Sequence, residues 1–293
     1  MRVCVATVCS ADSFQYFIPV FIYSLKKAYP DYGIKIFLRG WLNSDVKEAL
    51  KLVEGDYDIY EGSFSNYPTH VSTCNTLRHL LPANRFKNFD LLYITDIDFI
   101  FFQHKPSLGR YFQKRIEETG EPYATFKGPG RTPHRFKNGW TGIFTRIADG
   151  TLMLKIPEWF EKTYTQRKKY KNLVMKDKTD GYDHHRPCTY REYNEVMLYR
   201  MIKNSGMKTP LHRRKFIGGK DYNVLYRNIH LGDFKYNRGN SRHRMKKFMH
   251  YKNAKAFKKL QKDEAWLKLC EICERNKMVR ASMKRLRYYV KKI

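Results

Sequence analysis

The chain has 293 residues, 42% hydrophobic and 15% aromatic, which is enough to fill a core and excludes a wholly disordered protein. Its net charge of +29 favours an anionic partner. This charge is uneven, because residues 1–100 hold 10 Lys/Arg against 11 Asp/Glu, whereas residues 240–293 hold 18 against 4.

The cysteine pattern and the first residues predict a cellular location. The six cysteines form no pattern typical of a disulfide framework, and the first ten residues lack a charged region followed by a long apolar core. The longest apolar run, around residues 17–25, is too short to cross a bilayer. We therefore expect a cytoplasmic protein with free thiols.

Strand and helix patterns alternate through the first hundred residues. Such alternation predicts a mainly parallel sheet with flanking helices, in which ligands collect beyond the carboxyl ends of the strands. Residues 7–12 and 95–98 fall at two such ends and point to one site. Ser44 is the predicted cap of the second helix. Strands are predicted at residues 2–8, 33–40, 57–62 and 91–94, and helices at residues 14–29, 44–53 and 71–82.

Two aspartates, Asp96 and Asp98, lie inside the apolar segment LLYITDIDFIFF, residues 91–102. An ionised carboxylate that is buried without a partner is costly. If the strand continues, the two carboxylates share a face, because residues i and i+2 do so. A divalent cation such as Mn²⁺ or Mg²⁺ would relieve their repulsion. The alternative is a strand that ends in a turn, with both aspartates solvated or capping a helix.

The pattern is less regular beyond residue 120. It predicts a strand at residues 121–126, then a basic loop rich in glycine and proline at residues 127–142. Next come a helix at residues 148–164, despite its proline, and a helix at residues 190–204. A polar loop is predicted at residues 227–241.

After Ser241 the sequence is basic and helical through its last residue. In the final helix the apolar residues recur at spacings of three and four, which is typical of an amphipathic helix. We expect residues 241–293 to lie on an anionic membrane surface. The alternative is that the apolar stripe packs against the rest of the chain. This stripe consists of Met278, Val279, Met283, Leu286, Tyr289, Val290 and Ile293.

An Asp-x-Asp motif after an apolar strand of a Rossmann-like half resembles the GT-A glycosyltransferases. The resemblance is closest to the family 8 type, which includes bacterial lipopolysaccharide galactosyltransferases and glycogenin-like enzymes. Arg78 matches the arginine that those enzymes carry before the Asp-x-Asp strand, and the segment HLGDFK, which begins at His230, resembles their His-x-x-Gly-x-x-Lys segment. Gly232 and Lys235 each lie one residue closer to His230 than in that pattern. Nor does the segment around Glu195 reproduce the acidic-Gln-acidic triplet of family 8.

The resemblance covers roughly residues 1–240 and implies a fold and a set of roles. The fold is a GT-A domain with a nucleotide-binding half, residues 1–102, and an acceptor half, residues 103–240, followed by the basic helical tail. The implied metal ligands are Asp96, Asp98 and His230. The implied donor-binding residues are Thr7, Asp12, Arg78, Asp96, Gly232 and Lys235, the catalytic ones are Arg78 and Glu195, and the acceptor-side ones are Asn138 and Gly142.

These roles describe a metal-dependent glycosyltransferase that uses Mn²⁺ or Mg²⁺. It would move a sugar from a nucleotide sugar, expected to be a UDP-sugar, to a glycan or a lipid-linked glycan at the inner face of the membrane. A retaining reaction is favoured over an inverting one. Two alternatives stay open, a protein that binds or modifies nucleic acid through its basic half and a catalytically silent scaffold. The charge balance of the first hundred residues argues against nucleic acid.

Overall fold

A computed structural model describes residues 1–9, 12–67, 76–125, 130–135, 141–147, 151–176, 194–209, 229–232 and 251–291. In these ranges a six-stranded mixed sheet forms the centre of the protein, with the strand order β3-β2-β1-β4-β9-β6. This is the mainly parallel, helix-flanked α/β architecture that the sequence predicts. The strands are β1 Val3–Cys9, β2 Gly33–Leu38, β3 Asp58–Tyr60, β4 Leu91–Thr95, β5 Phe99–Ile100, β6 Tyr123–Thr125, β7 Gly130–Arg135, β8 Thr141–Arg146, β9 Thr151–Lys155 and β10 Ile229–His230.

Helices flank the sheet. They are α1 Ile18–Ala28, α2 Ser44–Leu50, α3 Leu108–Thr119, α4 Glu158–Lys162, α5 Tyr164–Lys176, α6 Asn194–Asn204, α7 Tyr251–Leu260, α8 Glu264–Cys273 and α9 Lys277–Val290. Short 3₁₀ turns cover Gln15–Phe17 and Ala83–Phe86. Within the described residues, no helix combines the length and the apolar character needed to cross a membrane.

The strand order reverses beside β1. Strands β1, β2 and β3 follow one another outward on one side, whereas β4 pairs with the other side of β1, and all of these pairings are parallel. Ligand crevices of open α/β sheets lie at such a reversal, outside the carboxyl ends of the strands. Here those ends are Cys9 of β1 and Thr95 of β4.

The prediction of a continuous helix over residues 148–164 is wrong in its first part. Thr151–Lys155 forms strand β9, which pairs antiparallel with both β4 and β6, and the chain becomes helical only from Glu158, in α4 and then in α5. Four successive residues of β9 are buried, because a strand between two neighbours is covered on both faces. Such a strand lacks the polar and apolar alternation by which a half-exposed strand is recognised, so its sequence resembles a buried helix.

Three smaller predictions also differ from the structure. Helix α2 is capped by Asn43, whose side chain accepts a hydrogen bond of 2.8 Å from the Val46 N–H, and not by Ser44. Part of the predicted loop at residues 127–142 is extended, because β7 and β8 pair as antiparallel strands. In the predicted loop at residues 227–241, Ile229–His230 forms a strand that pairs with β5.

The three C-terminal helices belong to the main core. Helix α8 packs on α1 and α2, and the buried residues of α9 belong to the same hydrophobic cluster as β1 and α1. Polar contacts fasten the same interface, since Tyr23 donates to Asp263 at 2.6 Å and Arg275 pairs with Asp45 at 2.8 Å. Buried residues of the stripe predicted for membrane contact are Val279, Met283, Leu286 and Val290.

The burial of this stripe corrects one part of the membrane expectation. The apolar face of α9 is occupied by the protein itself, as in the alternative interpretation, so that face does not enter a bilayer. The basic side chains of α7 to α9 lie on the outer side, where Lys258, Arg280 and Lys284 are exposed. Any contact between this region and an anionic surface would therefore use the exposed side chains of α7 to α9, the basic ones together with Tyr251, Leu267 and Tyr288.

We expect Leu286→Ala to lower the free energy of unfolding by about 2–5 kcal/mol, because Leu286 is fully buried and its removal leaves a cavity. The measurement is urea denaturation of the full chain. Leu267→Ala is the matched control, since Leu267 is 47% exposed and its loss should change stability by less than about 0.5 kcal/mol. Equal effects of the two substitutions would contradict the packing of α9 in the core.

Candidate metal and donor site

Strand β4 brings Asp96 and Asp98 to the carboxyl edge of the sheet, beside the reversal of strand order. The strand ends at Thr95, and a turn at Ile97 and Asp98 leads into β5. The two aspartates therefore do not share a face of one continuous strand. Asp98 is buried, at 8% exposure, whereas the side chain of Asp96 is 28% exposed.

A distant segment supplies the third polar group. Strand β10 pairs antiparallel with β5 and places His230 opposite Phe99. The Leu231 N–H then donates to the carbonyl oxygen of Asp98 at 2.7 Å, and the ring of Phe99 stacks on the His230 imidazole with centroids 4.8 Å apart. These contacts fix the imidazole beside the Asp98 carboxylate.

The side chains of Asp96, Asp98 and His230, called here the triad, can place one ligand atom each within 4.8 Å of one another. Two carboxylates and one imidazole suit a divalent cation, and imidazole favours Mn²⁺ over Mg²⁺. The donor set and its spacing therefore fit a divalent cation.

One ion pair and one histidine contact surround the two carboxylates of the triad. The Arg78 guanidinium pairs with the Asp96 carboxylate, and His230 Nε2 lies 3.0 Å from Asp98 Oδ1. Burial raises the pKa of Asp98, but the nearby His230 and Arg78 outweigh burial, so the pKa of this carboxyl lies below its usual value. Asp98 is therefore ionised at neutral pH.

The absence of a side chain at Gly232 leaves space for the Asp98 and His230 side chains of the triad. A Cβ atom at this position would lie 2.7 Å from Asp98 Oδ2, which would force a shift, and 3.0 Å from Nε2 of His230, which is a tight contact. The backbone of residues 229–232 can approach the carboxylate this closely only because residue 232 has no side chain. The glycine predicted from the resemblance thus has a steric reason that concerns the triad itself.

The two predicted donor residues near β1 lie in different environments. Thr7 is 1% exposed within β1, between two neighbouring strands. Asp12 is exposed, and its Oδ1 lies 4.0 Å from the place that a Cβ of Gly40 would take, at the carboxyl edge of β1 and β2. The donor-binding roles of Thr7 and Asp12 remain predictions.

The structure brings together only part of the predicted set. Arg78, Asp96, Asp98, His230 and Gly232 form one cluster. Glu195 is half-buried in the first turn of α6, and its carbonyl accepts from the Ile147 N–H at 3.0 Å; Gly142 lies in β8. Two predicted residues, Asn138 and Lys235, lie outside the described residues.

The sequence does not predict the part that Phe99 plays. Its ring orients His230, and its backbone pairs with the strand that carries that histidine. Phe99 is one of four consecutive apolar residues after Asp98, so a core position is the natural expectation. Only the pairing of β5 with β10 distinguishes it.

Comparisons by sequence identify no relative. No protein-family model matches the chain, and no curated protein matches it.

Comparison with solved structures finds distant similarity. Core-mannan synthase A from Aspergillus fumigatus, in a Mn/GDP form, has a TM-score of 0.41 and 5% identity over 69% of each chain. The 4-diphosphocytidyl-2C-methyl-D-erythritol synthase from Anaerococcus prevotii has a TM-score of 0.39 and 7% identity, covering 72% of this chain and 87% of its own. The galactosyltransferase LgtC, with donor and acceptor sugar analogues, has a TM-score of 0.37 and 15% identity over 69% of this chain and 70% of its own. TM-scores this low support no inference about function. The function proposed below is therefore argued from the candidate metal and donor site.

Proposed function

We propose that the chain is a metal-dependent glycosyltransferase with a GT-A fold. The observation that carries the proposal is the triad, two carboxylates and an imidazole converging at the carboxyl edge where the strand order reverses. In open α/β sheets this is where nucleotide ligands bind. A guanidinium beside the triad adds a partner for phosphate oxygens.

In this reaction the bond between the sugar C1 and the nucleoside diphosphate breaks, and C1 bonds to an acceptor hydroxyl oxygen, which loses its proton. Asp96, Asp98 and His230 would hold the cation, which neutralises diphosphate charge when bound. Arg78 and, by the resemblance, Lys235 would bind phosphate oxygens of the leaving group. Glu195 would orient the acceptor or accept its proton, and Asn138 and Gly142 would line the acceptor side.

Activity is expected to need a divalent cation, more effectively Mn²⁺ than Mg²⁺, because the triad includes an imidazole. The measurement is release of nucleoside diphosphate from a panel of nucleotide sugars with Mn²⁺, with Mg²⁺ or with EDTA. We expect activity to return when Mn²⁺ is added after EDTA. Full activity in EDTA would contradict the metal role of the triad.

The donor is expected to be a UDP-sugar, from the family resemblance, with Thr7 and Asp12 near the nucleotide. Calorimetry with UDP, GDP and CDP, each with Mn²⁺, tests this expectation. The expected order places UDP first. Tighter binding of GDP or CDP would contradict the assignment of a UDP-sugar donor, without affecting the assignment of the metal site.

The acceptor is proposed to be a glycan or a lipid-linked glycan of the cell envelope, used by a retaining enzyme at the inner face of the membrane. The acceptor and the retaining reaction follow from the family resemblance, and the support for the membrane location is the charged outer face of α7 to α9, with exposed residues such as Lys258, Arg280 and Lys284. Each such charge near an anionic surface contributes about 1 kcal/mol. Co-sedimentation with anionic vesicles of the wild type and of the Lys258→Glu/Arg280→Glu/Lys284→Glu variant tests the surface role. Equal binding of the wild type and the variant to the vesicles at low salt would exclude the outer face of α7 to α9 as the membrane-binding surface.

A nucleic-acid function is the second candidate, because the net charge of +29 favours any polyanion. Asp96→Ala separates the two functions. Loss of donor hydrolysis with unchanged polyanion binding supports the glycosyltransferase.

A further inference from the structure

A cavity of about 1500 Å³ lies on the sheet face opposite α1 and α2, and its described lining includes no member of the triad. One end is lined by Arg2 and Asp90, which precede β1 and β4 at their amino ends. The other end is lined by Gly62 to Tyr67, which follow β3 at its carboxyl end. Pockets for small molecules typically enclose about 300–1,000 Å³, so this cavity has room for a chain of several units.

Aromatic rings are the first chemical feature of the cavity. Tyr60, Phe64, Phe89 and Tyr164 all contribute to its lining, and Tyr164 is 64% exposed. Amide and hydroxyl side chains, Asn66 and Ser63 among them, lie between these rings. Pyranose rings carry both C–H faces, which pack on aromatic rings, and hydroxyl groups, which exchange hydrogen bonds with amides.

Positive charge is the second feature. The described lining has six basic residues against two acidic ones, Asp90 and Glu161. Tyr164, Lys168 and Lys171 recur on α5 at spacings of four and three, so they share one face of that helix, and all three are exposed. The basic residues are Arg2, Arg85, Lys87, Arg167, Lys168 and Lys171.

A wall of the cavity is joined to the triad through one backbone segment. Arg167 donates to the carbonyl of His79 at 3.3 Å and to that of Leu81, with its guanidinium 4.5 Å from the centroid of the Phe160 ring. The segment that accepts these bonds also carries Arg78, which pairs with Asp96. Residues 78–81 therefore contact both the cavity wall and the triad, and the lining residues Gly62 to Tyr67 follow the carboxyl end of β3.

We propose that this cavity is a second carbohydrate site, which holds an anionic glycan chain while the end of that chain reaches the carboxyl edge of the sheet. Its lining combines ring faces and amides for the sugars with cations for their carboxylate or phosphate groups. The identification of the bound glycan as the acceptor rests on the proposed glycosyltransferase function. The existence of a glycan-binding site does not depend on that function.

The test uses the full chain and a fluorescent decagalacturonate, with maltodecaose and a ten-nucleotide poly(dT) as competitors. We expect Lys168→Glu/Lys171→Glu to weaken decagalacturonate binding about tenfold or more at low salt, since two attractive charges become repulsive. Tyr164→Ala should weaken it severalfold at any salt concentration. Arg110→Glu/Lys114→Glu is the matched control, because both residues are exposed on α3, which packs on the other face of the sheet.

Four outcomes would overturn the second site: no binding of decagalacturonate, equal loss in the α5 and α3 variants, competition by maltodecaose as strong as by decagalacturonate, or tighter binding of poly(dT). Asp98→Asn separates this proposal from the enzymatic one, because it should abolish donor hydrolysis and leave decagalacturonate affinity within twofold. Binding that depends on α5 in a protein without donor hydrolysis would refute the glycosyltransferase alone. Donor hydrolysis without such binding would refute the second site alone.

Discussion

Asp98→Asn is expected to lower metal-dependent donor hydrolysis by about 10²–10³-fold, the loss typical of removing one group that stabilises charge in the transition state. Asp98 is the most buried member of the triad and contacts His230, so the substitution removes a negative charge from the ligand set and disturbs a second ligand. Asparagine keeps the size of the side chain. The measurement is nucleoside diphosphate release over a Mn²⁺ titration.

Asp90→Asn is the control for this substitution. Asp90 is also an aspartate at an end of β4, but it is exposed, lies at the amino end and accepts from the Arg2 N–H at 2.6 Å. We expect its donor hydrolysis to stay within about twofold of the wild type, as for a surface substitution away from the triad. If excess Mn²⁺ restores the full activity of Asp98→Asn, the substitution has weakened only the affinity for Mn²⁺. Undiminished activity without excess Mn²⁺ would exclude Asp98 from the metal site.

Gly232→Ala is expected to weaken Mn²⁺ binding by about 100-fold, in the upper range for substitutions that displace metal ligands. The added methyl group would lie 2.7 Å from Asp98 Oδ2, so the carboxylate or the 229–232 backbone must shift. Either shift separates Asp98 from His230. Calorimetric titration with Mn²⁺ alone gives the effect without reference to the donor or the acceptor.

Gly40→Ala is the matched glycine control. A Cβ at Gly40 meets nothing closer than Asp12 Oδ1 at 4.0 Å, which is an ordinary contact. Its Mn²⁺ affinity should equal that of the wild type, and thermal unfolding of both variants checks that each is folded. Wild-type Mn²⁺ affinity in Gly232→Ala would mean that the triad is not the metal site.

The alternating half of the fold was predictable because each of its strands is bounded by local signals. Strands β1, β2 and β4 and the helices between them follow hydrophobic periods and turn residues in the chain itself. Strand β9 was not predictable, because its burial on two sides depends on β4 and β6, which are remote in sequence. The local sequence pattern of a strand contains no information about neighbouring strands that come from remote parts of the chain.

The candidate site divides in the same way. Asp96 and Asp98 are conspicuous in the sequence because charged residues interrupt an apolar segment. His230 was selected by resemblance alone, and the pairing that brings it to Asp98 involves only two residues in each strand. The roles of Phe99 and of the cavity beside α5 depend on tertiary contacts that no local motif records.

The position of α8 and α9 has a consequence for biosynthesis. Helix α8 packs on α1, and the buried residues of α9 belong to the same hydrophobic cluster, so α1 is synthesised well before the helices that complete its core. A domain synthesised from its N-terminus can complete a core only when all of its members have emerged. The apolar surface of α1 therefore stays uncovered until α8 and α9 have been synthesised, and a nascent chain that stops before α8 should be retained by chaperones.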